Sequence, residues 1–141
     1  MIQRYTTPYH DFLLPFTVDK VSKLYLTYSQ NGENLIEKVY SADGSETSPE
    51  TTLINALELL NNSSMGDEYT EAINQTSQNL SRCSILTVHL TQEDTAQLQT
   101  YSAEERNIAL MQIRIKTPKG NVYSSLPTRD RVYRTFKEEV I

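Results

Sequence analysis

The sequence predicts a mainly β protein, an antiparallel β-sandwich of Ig-like architecture with a short capping helix, and three observations support this fold. An Asn31-Gly32 pair lies between two runs rich in β-branched and aromatic residues, which is typical of a two-residue hairpin turn. Apolar and polar residues alternate in several further stretches, as they do in half-buried strands. No strand–helix–strand rhythm is present, which disfavours a parallel sheet. The Cys and Trp pattern of antibody domains is absent, so "Ig-like" describes architecture only.

Length and composition fit a single β-sandwich domain over residues 1–141. The chain is 38% hydrophobic and 22% charged, enough apolar residues for a folded core. Its net charge of −5 disfavours a nucleic-acid partner, although three arginines cluster near the C-terminus. The single cysteine, Cys83, excludes an internal disulfide and a Cys-based zinc site. No apolar run approaches the ~20 residues of a membrane span, and no signal-peptide core is visible, so we expect no membrane partner and synthesis in a cytoplasm.

The first third of the chain predicts an arm, an edge strand and a hairpin. Residues 1–9 have the composition of a polar arm. We expect a first strand over His10–Phe16, at a sheet edge, because Pro15 has no amide hydrogen to donate to a ladder. The hairpin then runs from Lys23 to Tyr40, and one face of its first strand is apolar: Leu24, Leu26 and Tyr28.

Residues 41–82 differ from the rest and predict a partly helical insertion within the sandwich. Ser48-Pro49-Glu50 has the form of a helix start, and the apolar residues that follow recur at helical spacing, so we predict an amphipathic helix over roughly 50 to 61. The stretch Asp67–Leu80 is polar and is interpreted as a weak helix or an extended loop.

The second half of the chain predicts more strands and one short helix. Leu86, Val88 and Leu90 form the apolar side of a strand, and Thr91 with Asp94 resembles a capping box at the start of a helix over 92 to 99. The remaining predicted elements are a strand over Ile108–Thr117, a turn over Pro118–Asn121, a returning strand over Val122–Leu126 and a final strand over Arg129–Phe136.

Residues with the chemistry of a catalytic or metal site are sparse, and they do not form known patterns. There is no glycine-rich phosphate loop and no metal-binding histidine motif. His10 and Asp11 are neighbours in a strand, so they point to opposite faces and cannot act as a base with its orienting carboxylate. The acidic pair Asp67-Glu68 lacks the ligand spacing of a calcium loop. We therefore predict no catalytic residues, no metal site, no cofactor and no enzymatic activity.

The aromatic and terminal apolar residues indicate interaction with other proteins. The chain has nine tyrosines and no tryptophan, and tyrosine is enriched at protein interfaces. The alternative, that these tyrosines stiffen exposed sheet faces, stays open. The predicted interface residues are Tyr5, Tyr9, Tyr25, Tyr40, Tyr133, Val140 and Ile141.

Several segments also resemble a family of small proteins encoded in the tail or baseplate regions of phages and prophages of Gram-positive, largely clostridial-type bacteria. The resemblance covers about two thirds of the chain, and residues 41–82 depart from it because that region is much shorter in the family. The matching segments are Thr7-Pro8, Phe12, Leu14-Pro15-Phe16, Gln30-Asn31-Gly32, Leu90–Thr95, Gln112-Ile113-Arg114 and Val140-Ile141.

The resemblance implies a virion structural protein that docks on a tail or baseplate through its termini and sheet edges. It further implies repeated copies, as in a ring, with other virion proteins as partners, and a final location in the virion after synthesis in the bacterial host cytoplasm. Two alternatives stay open. One is a capsid decoration or head–tail joining protein. The other is a carbohydrate-binding module in which Tyr25, Tyr40 or Tyr133 stacks on host glycans.

Overall fold

The computed structural model describes residues 1–61, 81–100, 107–134 and 137–141, and in this part the protein is mainly β. Its strands form two sheets around one hydrophobic core. The strands are β1 (Ile2–Gln3), β2 (Tyr9–Leu14), β3 (Lys23–Gln30), β4 (Glu33–Ser41), β5 (Thr51–Asn55), β6 (Ser84–His89), β7 (Ile108–Lys116), β8 (Val122–Ser124) and β9 (Thr128–Tyr133). The helices are a 3-10 turn (Val18–Lys20), α1 (Ala56–Asn61) and α2 (Gln92–Ala96).

The larger sheet has the order β1-β9-β7-β3-β4 and curls into a half-barrel. β8 also pairs with β7, so β8 and β9 follow one another along the same side of that strand. Pro127 lies between them, where a residue without an amide hydrogen interrupts the ladder. The central position of β3 agrees with its apolar face, since Leu24, Leu26 and Tyr28 are all fully buried.

The smaller sheet has the order β2-β6-β5 and covers part of the larger one. β6 supplies its centre, and its inward residues Leu86 and Val88 are fully buried. β2 is an edge strand that ends at Leu14, immediately before Pro15, as the missing proline amide predicts. The predicted bounds, His10–Phe16, are wrong at both ends, because the strand begins at Tyr9 and ends at Leu14.

The hairpin prediction is confirmed in detail. Asn31 and Gly32 have φ values of 52° and 79°, the left-handed conformation that a two-residue turn of this kind requires at both central positions. The register of the hairpin shifts between Tyr28 and Ser29, just before the turn, so Tyr28 pairs with Ile36 and Ser29 with Asn34. Residues directly opposite in an antiparallel pair share a face, and Leu26 is opposite Lys38. The Lys38 side chain therefore starts out on the inner face of the sheet.

The capping box at Thr91 is also confirmed. The Asp94 amide donates to Thr91 Oγ1 at 3.0 Å, and the Thr91 amide donates to Asp94 Oδ2 at 3.0 Å. The helix that it starts is shorter than predicted, since α2 ends at Ala96 and not near residue 99. The next amides, of Gln97 and Leu98, donate to carbonyls three residues back, which tightens the end of the helix.

The predicted helix over 50 to 61 is wrong in its first half. Thr51–Asn55 is strand β5, paired antiparallel with β6, and only Ala56–Asn61 is helical. Glu50 has a φ of 59°, which belongs to a turn into the strand and not to a helix start. Part of the region predicted as an insertion is therefore a strand of the smaller sheet. The predicted weak helix or loop over Asp67–Leu80 lies outside the described residues.

The predicted free arm at the N-terminus is also wrong. Ile2–Gln3 is strand β1, which runs parallel to β9, and the Ile2 side chain is fully buried. Thr95 holds the next residues, because its Oγ1 donates to the Thr6 carbonyl and accepts from the Thr6 amide. The final strand is β9, and residues 135 and 136 of the strand predicted there lie outside the described part.

Candidate functional site

A pocket of about 430 Å³ opens between the end of β2 and the strands β7 and β8. Its walls are almost entirely apolar, and of the ten described residues that line it one is charged, Lys20. The lining residues are Leu14, Pro15, Phe16, Lys20, Ile113, Ile115, Thr117, Tyr123, Ser124 and Ser125. We refer to this pocket, together with the adjoining free edge of β8, as the open side.

The edge of β8 at the open side carries backbone groups that β7 does not use. The Thr117 amide donates to the Asn121 carbonyl and the Ser125 amide donates to the Ile113 carbonyl, each at 2.8 Å. In an antiparallel ladder every second residue points its backbone groups at the same neighbour. Tyr123 therefore faces β7, whereas the N–H and C=O groups of Val122 and Ser124 point away from it.

Side chains around this edge are unusually exposed for their type. Tyr123 is opposite Ile115 and so lies on the inner face of the sheet, yet it is 58% exposed. Leu126, in the connection to β9, is 87% exposed, and Val122 is exposed as well. Apolar side chains at β8 are thus uncovered on both faces within the described part of the chain, Tyr123 on the inner face and Val122 on the outer, and such surface marks interaction sites.

The edge of β2 has the same character on its outer face. The Leu90 amide donates to the Pro8 carbonyl, so in this ladder the backbone groups of His10, Phe12 and Leu14 point at β6. Those of Asp11 and Leu13 point away from it. The Leu13 side chain is exposed.

The open side was not predicted from the sequence, although two exposed apolar residues in its sequence could have indicated it. Val122 and Leu126 are large apolar residues in a short segment bounded by turn residues and by Pro127. Polar residues are more common in such segments, because they are usually exposed to solvent. What the sequence could not show is that the smaller sheet leaves Tyr123 uncovered, because that depends on which strands face one another.

Three of the predicted interface residues lie near one another on a second surface. The Tyr9 ring stacks on His89 with the centroids 3.9 Å apart, and Tyr9 is 66% exposed. His89 also lines a depression of about 390 Å³ together with Val140 and Ile141. The Ile141 amide donates to Gln92 Oε1 at 2.7 Å, yet its side chain is 84% exposed. We refer to Tyr9, His89, Val140 and Ile141 as the Tyr9–Ile141 patch.

The other four predicted interface residues are scattered. Tyr5 has a φ of 62° and lies under the Arg4 guanidinium, 5.2 Å from the ring centroid. Tyr40 is half-buried and packed against the core, on the inner face of β4. Tyr25 is half-buried on the outer face of β3, whereas Tyr133 is exposed on β9. None of these four tyrosines lines the depression that His89, Val140 and Ile141 line.

His10 and Tyr28 form a hydrogen-bonded pair inside the protein. Their Nδ1 and hydroxyl oxygen are 2.6 Å apart, and His10 Nε2 is buried without a hydrogen-bond partner among the described residues. Burial lowers the pKa of His10, with nearby Asp130 opposing that effect in part. Burial likewise raises the pKa of the Tyr28 hydroxyl. Asp11 points to the other face, where it accepts from Thr87, so the predicted separation of His10 from Asp11 is confirmed.

Lys38 and Asp94 form a second internal pair, between β4 and α2. Lys38 Nζ lies 2.7 Å from Asp94 Oδ2, and the two side chains are only 12% and 16% exposed. Burial would raise the pKa of Asp94, but the hydrogen bonds from Lys38 and from the Thr91 amide outweigh it, and the net shift is downward. Asp94 thus serves both the capping box and an ion pair that joins the helix to the larger sheet.

Neither a metal-binding cluster nor a membrane-spanning helix is found in the described part of the chain. No three His, Cys, Asp or Glu residues there form a group that could hold a metal ion. Among the described helices, none has the length and apolar character needed to cross a membrane. The prediction that the protein is not an enzyme stays a prediction.

Comparison with known proteins gives no relative from which a role could be transferred. The chain matches no protein-family model, no curated protein sequence and no solved structure. The open side and the Tyr9–Ile141 patch are therefore the features of the molecule that bear on its function.

Proposed function

We propose that this protein is a structural subunit of a bacteriophage virion, an Ig-like β-sandwich that docks on a tail or baseplate assembly. The observation that carries the proposal is the open side, an apolar inner face next to a free strand edge. A subunit that binds a neighbour through sheet edges needs backbone hydrogen bonds and apolar cover, and no reactive side chains. The sequence segments that resemble tail-region proteins support the same role.

The structure changes which parts of the chain are suited to docking. The N-terminal residues are paired within the protein's own sheet, so they are poorly suited to bind a neighbour as a free arm. The open side and the Tyr9–Ile141 patch together present exposed apolar groups at two separate places. Two separate docking places on one subunit are what repeated copies in a ring or a stack require, because each copy has two neighbours.

The proposal predicts that the protein is found in assembled particles. Particles induced from a strain that carries this coding sequence and purified by density gradient should contain the chain in several copies per particle, measured by quantitative mass spectrometry. Deleting the coding sequence should leave tails that are incomplete or defective in electron micrographs. Absence of the chain from particles, together with a strict monomer by light scattering, would contradict the proposal.

The same particles distinguish the tail role from a role on the capsid. Cryo-electron microscopy of intact virions should place the protein on the tail or baseplate. Density on the head, or at the joint between head and tail, would instead assign it to capsid decoration or head–tail joining.

A glycan-binding role is a second candidate because of a polar depression on the outer face of the larger sheet. The depression has a volume of about 430 Å³ and combines the Tyr25 ring with side chains that donate and accept hydrogen bonds, including Glu37, Gln112 and Arg114. Tyr40 and Tyr133 do not line it, so Tyr25 is the one predicted stacking residue that fits. Lys23 Nζ lies 5.4 Å from the Tyr25 ring centroid and occupies one face of the ring.

If glycans bind in this depression, replacing Tyr25 by alanine should weaken binding about tenfold or more, through loss of the stacking surface. A glycan array followed by titration calorimetry with the best ligand measures this. Tyr133→Ala is the matched control and should bind as the wild type does. An array without any reproducible ligand would remove this candidate.

A further inference from the structure

We propose that the open side accepts one extended segment of another polypeptide chain, which adds a strand antiparallel to β8 and covers the pocket with its apolar side chains. The inference rests on the proposed function, since it names the kind of partner that the docking subunit binds. It is carried by three features of the open side: its backbone groups, its inner face and its charge.

The free backbone groups of β8 indicate that the ligand is an extended polypeptide segment. The N–H and C=O groups of Val122 and Ser124 point away from β7 and alternate along the edge, a spacing that another β-strand matches. A strand on this edge could form up to four hydrogen bonds. A compact apolar molecule could fill the pocket, but it would leave these groups to water.

The inner face specifies the side chains of the added strand. Its residue opposite Tyr123 would lie on the same face as that ring and point toward Pro15 and Phe16, which form the other wall. The residues on either side of it would point outward, opposite Val122 and Ser124. Every second residue of the partner must therefore be apolar, and those between can be polar.

The position that the added strand would take is open in the described part of the chain. β1 covers the free side of β9, with Ile2 opposite Val132, but it does not reach β8. The two strands β8 and β9 thus share one partner, β7, on one side. On the side away from β7, β9 pairs with β1, whereas β8 has no partner among the described residues. A strand added to β8 would therefore lie in line with β1.

The positive charge of Lys20 in the pocket lining favours an acidic residue at one end of the partner segment. Lys20 is the charged residue of the pocket lining and follows the end of β2, on the side of Thr117 and the start of β8. Its only described ion pair is a long one to its exposed neighbour Asp19, at 3.9 Å. An antiparallel partner has its C-terminal end beside the start of β8, so an acidic residue there would lie near Lys20.

The test uses a labelled, end-blocked peptide, Thr-Val-Thr-Val-Thr-Val-Thr-Glu, in which the valines and the glutamate share one face, and the full 141-residue chain. Fluorescence anisotropy at low salt should show saturable binding, and amide exchange by NMR should show new protection at Val122 and Ser124. A peptide of the same composition with its valines contiguous, Val-Val-Val-Thr-Thr-Thr-Thr-Glu, should bind at least about fivefold more weakly because its valine side chains cannot all reach the pocket.

Two variants at one position separate backbone pairing from packing. Ser124→Pro removes an amide hydrogen that the protein's own sheet does not use, so circular dichroism should show an intact fold, and peptide affinity should fall about tenfold. Ser124→Ala keeps that amide and should bind within about twofold of the wild type. Lys20→Glu should reverse the preference between the peptide ending in glutamate and the same peptide ending in lysine.

Three results would overturn the inference. The first is a Ser124→Pro variant that folds and binds the peptide as tightly as the wild type does. The second is saturable binding of decanoate in the pocket with no peptide binding at millimolar concentration, which would indicate a small amphiphile. The third is a dimer that the wild type forms and Ser124→Pro loses, which would indicate that a second copy covers the edge. None of these results decides whether the protein is present in particles, so the proposed function is tested separately.

Discussion

Replacing Asp94 by alanine should lower the free energy of unfolding by about 3 to 5 kcal/mol, because it leaves the Lys38 ammonium nearly buried without its partner. The same change removes the carboxylate half of the capping box, which adds about 1 kcal/mol to the loss. Urea unfolding followed by circular dichroism measures the difference. A loss below about 1 kcal/mol would show that the pair is solvated in solution.

Two further variants separate the charge from the cap. Asp94→Asn keeps an oxygen that can accept from the Thr91 amide but removes the negative charge, so its loss should be smaller than that of Asp94→Ala. Adding Lys38→Met to Asp94→Asn should restore part of the stability, since no charge is then left unpaired.

The Lys38–Asp94 pair also predicts that the free energy of unfolding decreases at acidic pH. Since the folded pKa of Asp94 lies below its ordinary value of 3.8, its contribution is fully present above that value. The contribution is lost as the pH falls through the folded pKa. The slope of stability against pH in this range should therefore be smaller for Asp94→Asn than for the wild type.

Replacing Tyr28 by phenylalanine should lower the free energy of unfolding by about 1 to 3 kcal/mol. The ring still fills the core, but His10 Nδ1 loses its partner, and His10 Nε2 already has none among the described residues. Thermal and urea unfolding measure the loss. A neutral outcome would mean that water reaches His10 in solution.

The His10–Tyr28 pair predicts a pH effect of the same sign as that of Asp94, but at a pH closer to neutral. The folded pKa of His10 is lower than its ordinary value of 6.5, so between the two values the unfolded chain binds more protons than the folded one. Stability should fall as the pH drops below 6.5, until the folded pKa is reached. The variant His10→Asn cannot titrate and should lose that slope, whereas Tyr28→Phe should keep it.

The local features of the fold were predictable because short stretches of sequence determine them. The Asn31-Gly32 turn and the Thr91 capping box each depend on a few neighbouring residues with strong conformational preferences. The buried alternation along β3 and β7 was equally clear. The mainly β class follows from these features together.

The errors arose where pairing between distant segments decides the structure. Leu53 and Ile54 fit a helical repeat with the apolar residues that follow, but pairing with β6 makes them a strand. The two residues of β1 are too few for any pattern, and their partner lies near the other end of the chain. The open side depends on sheet order in the same way, so side-chain patterns could not locate it.

The parallel pairing of β1 with β9 has a consequence for synthesis. The β3–β4 hairpin can close as soon as it leaves the ribosome, whereas Ile2 must wait until Val132 has been made. At typical elongation rates this delay is on the order of ten seconds. During that time Ile2 lacks the strand beside which it is buried, so its apolar side chain stays exposed until β9 has been made.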